Sequence, residues 1–138
     1  MKPEDIFAPV ALLALWTGFV ALVTGVRRVR AVMRGRTTPD AFRLGESSAV
    51  PADVAVANRN LMNLLEMPLL FYVVAIAFYV TRHVGPGAVE LAWIYVALRL
   101  VHSCVHLTYN RVRHRLVPFA LSNVVLVVLW IWFVRRVL

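Results

Sequence analysis

Four long apolar stretches alternate with shorter polar segments along the 138-residue chain. They run over residues 6–26, 61–81, 88–109 and 117–134. Each is close to the length of about 20 residues that a helix needs to cross a hydrocarbon core about 30 Å thick. Hydrophobic residues follow one another continuously instead of alternating with polar ones, which excludes membrane-spanning strands. The pattern therefore predicts an all-α membrane protein with one domain, residues 1–138, built as a bundle of four transmembrane helices.

Composition agrees, because 61% of the residues are hydrophobic and 16% are charged, against about 25% charged in soluble domains. Most of the 15 Lys and Arg residues lie in the polar segment 27–60 and in the short connection after the third stretch. The positive-inside rule places both of these segments in the cytoplasm and both termini outside it. The arginines flank the spans without an aromatic and basic platform, so we expect contacts with membrane lipids and none with nucleic acid.

The third apolar stretch carries polar residues on one face. Arg99, His102, His106, Tyr109 and Arg113 follow one another at spacings of three and four, which aligns side chains along a helix. Burying each of them in a membrane costs free energy unless it is paired or faces a wet cavity. We therefore interpret this face as the wall of a site.

The second apolar stretch begins with a similar polar face formed by Arg59, Asn63 and Glu66. At 1.5 Å per residue, Glu66 lies about 10 Å beyond Arg59, in the same half of the bilayer as the third-helix face. We expect Glu66 to pair with Arg99 or His102, from its own or a neighbouring chain.

Arginines beside imidazole groups at this depth suit a small, multiply anionic ligand, because guanidinium groups bind carboxylates bidentately. A cationic site also lowers the pKa of a bound thiol from about 8.5. A lipophilic second substrate can reach such a site from the lipid. The pattern favours conjugation or reduction at a membrane interface.

The segment "RNLMNLLE", residues 59–66, resembles the second-helix signature Arg-x-x-x-Asn-x-x-Glu of the MAPEG family, the membrane-associated proteins of eicosanoid and glutathione metabolism. The segments "TGVRRVR" and "TPDAFRLG" and the arginine-led third helix extend the resemblance over most of the chain. The resemblance implies a four-helix fold assembled as a homotrimer, with three sites between subunits and glutathione as co-substrate.

The resemblance also implies roles for individual residues. Six of them would bind glutathione: Arg28, Arg59, Asn63, Glu66, Arg99 and His102. Arg113 or Arg115 would stabilise the glutathione thiolate. Within this mechanism, we expect His106 or Tyr109 to orient or deprotonate the thiol.

Three positions depart from the family pattern. His106 stands where many members carry tyrosine, Met62 replaces a frequent second arginine, and Pro68 follows Glu66 by two residues instead of three. These departures resemble an uncharacterised bacterial branch, which implies a multi-pass protein of the bacterial inner membrane. We predict a glutathione-dependent transferase or peroxidase acting on a lipophilic electrophile; eicosanoid synthesis is not implied.

Other interpretations of the polar residues stay open. They could only bond helices together, as we expect for Ser122 and Asn123 of the fourth stretch. They could bind a lipid or an anionic metabolite without turnover. His102 and His106, with Glu66 as third ligand, could hold a metal or haem. We predict no metal site, because an isolated histidine pair on a helix is usually structural.

Overall fold

The computed structural model describes residues 2–43 and 47–137. Residues 44–46, within the loop predicted over 27–60, and terminal residues 1 and 138 lie outside this description. The described residues form helices and no strand: α1 (Phe7–Met33), α2 (Ala52–Val80), α3 (Pro86–Leu107) and α4 (Val112–Val137). Short 3-10 turns cover Pro3–Ile6 and Pro39–Phe42. Each of the four long helices is long and apolar enough to span a membrane.

The helices reach further into the basic segment than the apolar pattern indicated. α1 continues to Met33 instead of ending at residue 26, and α2 begins at Ala52 instead of residue 61. Arginine side chains can extend helices past the hydrocarbon region, because their stems pack on apolar surface while the guanidinium groups reach polar surroundings. Arg28 and Arg59 therefore lie on helical turns, where their direction is defined by the helix.

An exposed ion pair ties the beginning of the loop to the start of α2. Arg36 donates to the two carboxylate oxygens of Asp53 at 2.6 and 3.3 Å. The hydrogen bond to Asp53 raises the pKa of the Arg36 guanidinium. Because exposed pairs contribute only about 0–1 kcal/mol, this contact orients the loop more than it stabilises the fold.

The connection between α3 and α4 differs from the predicted one in a way that matters for the site. α3 ends at Leu107 instead of residue 109, where Thr108 Oγ1 donates to the Cys104 carbonyl and Asn110 adopts a positive φ of 48°. Asparagine tolerates this left-handed conformation, which commonly ends helices. α4 then begins at Val112, so Arg113 and Arg115 lie on its first turn and Tyr109 lies between the helices.

The core lies where the two best-packed helix pairs, α3 with α4 and α1 with α2, meet. Its larger members are apolar or aromatic side chains with almost no exposed surface: Leu13, Leu64, Phe71, Phe78, Tyr95 and Leu129. Large apolar side chains also cover the outer faces of all four helices. Such faces suit a hydrocarbon solvent or a neighbouring chain.

A polar contact inside the bundle joins three helices. Ser103 Oγ on α3 accepts hydrogen bonds from Trp16 Nε1 on α1 and Asn60 Nδ2 on α2, both at 2.8 Å. Sequence reasoning missed this contact, because a single serine or asparagine between apolar residues does not reveal its partner. It fixes the depth at which α1, α2 and α3 meet, which in turn positions the polar face of α3.

Gly87 is required by the packing of α4 on the first turn of α3. A Cβ atom added there would overlap Cη2 of Trp132. We expect Gly87→Ala to displace the indole and lower stability by about 1–3 kcal/mol, as other overpacked sites do. Thermal unfolding in detergent measures the loss. Gly25→Ala is the matched control, because nothing lies within 4 Å of its added Cβ, and an equal loss in that variant would contradict the assignment.

Candidate functional site

The polar face of α3 borders a cavity between α2, α3 and α4, towards the end of the bundle that carries the long loop. The cavity measures about 210 Å³ and is lined by Asn63, His102, Val112, Arg115, Leu116 and Phe119. Asn63, His102 and Arg115 were predicted as site residues, and the structure brings these three together. We call Arg99, His102, His106 and Arg115 the polar cluster.

Arg115 contacts both histidines of the polar cluster. Its backbone carbonyl lies 2.8 Å from Nδ1 of His102. Since a carbonyl only accepts, this Nδ1 donates, and the lone pair of the neutral ring lies on Nε2. The Arg115 guanidinium contacts Nε2 of His106, which must then be the acceptor. These contacts assign the same tautomer, with the proton on Nδ1, to two neighbouring rings whose centroids are 5.6 Å apart.

Arg99 is completely buried beside the cavity. Its Nη2 donates to Oδ1 of Asn123 at 2.6 Å, and its Nε donates to the Tyr95 hydroxyl at 3.2 Å. The rings of Tyr95 and Phe119 lie 5.4 and 5.0 Å from its Cζ, within the range of cation–π attraction. In the described part of the chain no carboxylate pairs with this charge. An amide, a phenol and two aromatic rings replace a counter-ion.

Three nitrogen atoms of the polar cluster are buried without a hydrogen-bond partner among residues 2–43 and 47–137: Arg99 Nη1, His102 Nε2 and His106 Nδ1. Most buried polar atoms in proteins are bonded, so each exception needs an explanation. The His102 atom belongs to a residue that lines the cavity. A polar ligand in the cavity would supply the missing partner.

Glu66 and Arg59 lie apart from the buried charge. Both are exposed on α2, and Glu66 forms no ion pair with any described residue. The expected pairing of Glu66 with Arg99 or His102 is therefore not formed within the chain, because Arg99 extends towards α4.

Arg28 occupies a different place in the chain. Its Nη2 donates to Oδ1 of Asn58 at 2.7 Å, and its guanidinium lies over the ring of Phe42, 5.2 Å from the centroid. It lines a separate, mostly apolar cavity of about 310 Å³ at the end of α1. One chain alone therefore does not bring Arg28 to the polar cluster.

Tyr109 and Arg113 are not brought to the cavity either. Both are exposed, and the Tyr109 hydroxyl lies 3.2 Å from Nδ1 of His114.

Among the described residues, no three His, Cys, Asp or Glu side chains form a group that could hold a metal. The His102 and His106 ring atoms that are hydrogen-bonded both face Arg115.

Sequence reasoning missed three aromatic and amide partners of the cluster. Tyr95 lies one helical turn before Arg99 and could have been added to the polar face from its spacing alone. Asn123 was expected only to bond helices, and no sequence signal connected Phe119 with an arginine. The contacts of Asn123 and Phe119 depend on how α4 packs against α3.

A buried arginine, two histidines and a second arginine beside a cavity, set among four membrane-spanning helices, define an integral membrane protein with a polar site inside its bundle. The sequence model of the MAPEG family matches residues 6–135, and the chain belongs to this family. The family includes glutathione transferases and peroxidases. Comparison with curated proteins gave no match.

Proposed function

We propose that this protein is a membrane-embedded, glutathione-dependent transferase or peroxidase that acts on a lipophilic electrophile. One observation carries the proposal: Arg115 and His102 line the same cavity inside an apolar bundle, and Nε2 of His102 has no hydrogen-bond partner among the described residues. A cation and a proton acceptor side by side are what a thiol needs to react as a thiolate.

The two residues have complementary roles in the proposed chemistry. His102 Nε2 accepts the thiol proton, because its Nδ1 is already donating to the Arg115 carbonyl. Arg115 stabilises the sulfur anion that remains, and its guanidinium is held in position by the acceptor nitrogen of His106. We therefore assign His106 the role of positioning Arg115, and His102 the role of base.

The thiolate can react in two ways. With an electrophilic carbon, the sulfur lone pair forms a C–S bond, and the proton held by His102 passes to the displaced group or to the carbanion. With a hydroperoxide, two glutathione molecules supply two electrons, and the products are an alcohol, water and glutathione disulfide. Both reactions begin with the same thiolate.

The cavity of one chain is small for the whole tripeptide. Its volume of about 210 Å³ lies below the range of roughly 300–1,000 Å³ that is usual for ligand pockets. Arg28, Arg59 and Glu66 lie on outer parts of the chain, where a neighbouring copy can reach them. This distribution supports a homotrimer with sites between subunits, in which these residues complete the contacts to the carboxylates and amino group of glutathione.

The charge distribution supports an orientation. Most basic residues lie at the end of the bundle formed by the loop after α1 and the connection after α3. By the positive-inside rule this end faces the cytoplasm, with both termini on the other side of a bacterial inner membrane. Glutathione would then enter from the cytoplasm and the second substrate from the lipid.

An ultraviolet difference titration of the detergent-purified protein with glutathione tests the proposal. We expect a saturable thiolate absorbance at neutral pH, reduced in His102→Gln because the acceptor for the thiol proton is lost. S-methylglutathione is the matched control, since it has no ionisable thiol and should give no signal.

The products then separate the candidate reactions. A thioether formed from an electrophile supports the transferase, and an alcohol formed from a hydroperoxide supports the peroxidase. Calorimetric binding without turnover on either substrate class would favour a binding protein. No thiolate signal together with no heat of binding would contradict the proposal.

A further inference from the structure

A second polar cavity lies at the opposite end of the bundle, between the α2–α3 turn and the last turns of α4. It measures about 180 Å³, and its lining includes Arg82 and His83 of the turn, Ala88 of α3, and Trp132 and Arg136 of α4. None of these residues belongs to the proposed glutathione site. α3 separates the two cavities along its 22 residues.

Arg82 occupies a backbone position that normally favours glycine. Its φ is +59°, and its N–H donates to the Tyr79 carbonyl at 3.1 Å while that of His83 donates to the Phe78 carbonyl at 3.0 Å. This is the Schellman ending of a helix, in which the left-handed residue is usually glycine. An arginine in this conformation costs conformational energy. Its side chain lines the cavity, which favours a function for the arginine at this position.

The wall of the cavity depends on the absence of a side chain at Gly87. The Trp132 ring lies so close to the first turn of α3 that a Cβ on Gly87 would overlap it. Trp132 therefore lies against the helix start with its indole lining the cavity. Tryptophan is enriched at the level of lipid headgroups, which is where the end of a spanning helix lies.

The residues that line the cavity are basic or uncharged. Within the described ranges, neither Arg82 nor Arg136 forms an ion pair, and no acidic residue is among those lining the cavity. No side chain caps the first turn of α3, whose N-terminus adds partial positive charge at the same place. Two guanidinium groups, an imidazole and a helix start are thus gathered around one space.

We propose that this cavity binds a phosphate group, carried by a phospholipid headgroup or by a soluble phosphate ester. Arginine binds phosphate oxygens bidentately. The indole beside the arginines suits the glycerol or upper acyl region of a lipid. The site is independent of the glutathione chemistry, because the cavities share no residue.

Thermal unfolding of the full chain in a neutral maltoside detergent tests the site with two probes. Dihexanoyl phosphatidylglycerol represents the headgroup, and glycerol 3-phosphate represents the soluble ester. We expect a saturable rise in Tm, with the apparent affinity at least about tenfold weaker in the double variant Arg82→Gly and Arg136→Gln, the loss expected for about 1.4 kcal/mol of binding. Arg135→Gln is the matched control, because it removes the adjacent charge on α4 without changing the cavity lining.

The variants also separate binding from folding. Arg82→Gly suits the left-handed backbone, so this variant without ligand should unfold at the same or a higher temperature than the parent protein. A response to the lipid alone assigns the headgroup, and a response to glycerol 3-phosphate assigns the soluble ester; either supports the site. No saturable shift with either probe, or an equal loss in Arg135→Gln, would overturn it.

Discussion

Replacing Arg115 by alanine should abolish the glutathione thiolate signal and lower turnover by about 100- to 1,000-fold, the usual loss when one preorganised donor to a developing anion is removed. The effect is large because the guanidinium acts beside a cavity of an apolar bundle, where the effective dielectric constant is lower than in water. Difference spectra and steady-state kinetics on the same preparation measure both quantities.

Arg113→Ala is the control for this prediction. Arg113 carries the same charge on the same first turn of α4, but its side chain is exposed and does not line the cavity. We expect its thiolate signal to stay within about threefold of the parent protein, as for a screened surface charge. Equal losses in the two variants would show that general positive charge, and not the position of Arg115, stabilises the anion.

Asn123→Ala should destabilise the bundle by about 2–3 kcal/mol, because it removes the shortest hydrogen bond of a buried guanidinium. Hydrogen bonds to charged groups contribute about 1.5–3 kcal/mol, whereas neutral bonds between membrane helices average about 0.6 kcal/mol. The Asn123 amide joins α4 to Arg99 of α3 at 2.6 Å. Unfolding in mixed micelles gives the free energy directly.

Ser122→Ala provides the comparison on the neighbouring residue. Ser122 is buried, but its hydroxyl donates to the Phe119 carbonyl of its own helix at 2.7 Å, so no contact between helices is lost. We expect a change below about 0.6 kcal/mol. If Asn123→Ala were as mild as Ser122→Ala, Arg99 would have to be stabilised by its aromatic neighbours alone.

The polar face of α3 shows how much of the candidate site could be predicted from the sequence. The three-and-four spacing correctly placed Arg99, His102 and His106 on one face of α3, because side-chain direction along a helix follows from its period. The same spacing could not extend to Tyr109 and Arg113, since the helix ends at Leu107. Helix ends depend on a few local bonds, here those of Thr108 and Asn110, which periodicity does not encode.

The partners across helices were the least predictable part. Glu66 was expected opposite Arg99 because opposite charges in a membrane attract, yet Arg99 bonds to Asn123 and Tyr95 and Glu66 remains exposed. Which faces of two helices meet is decided by the packing of the whole bundle. A polar residue at the right depth can therefore lie on the wrong side of its helix.

The sequence by itself determined the membrane setting, the four helices and the family, because hydrophobic length and a local signature depend only on neighbouring residues. The tertiary structure alone decided which polar residues share a cavity: Arg115 with His102 at one end, and Arg82 with Arg136 at the other. The physical reason is that burial and pairing arise from contacts between helices far apart in the chain, and these depend on shape as well as on polarity.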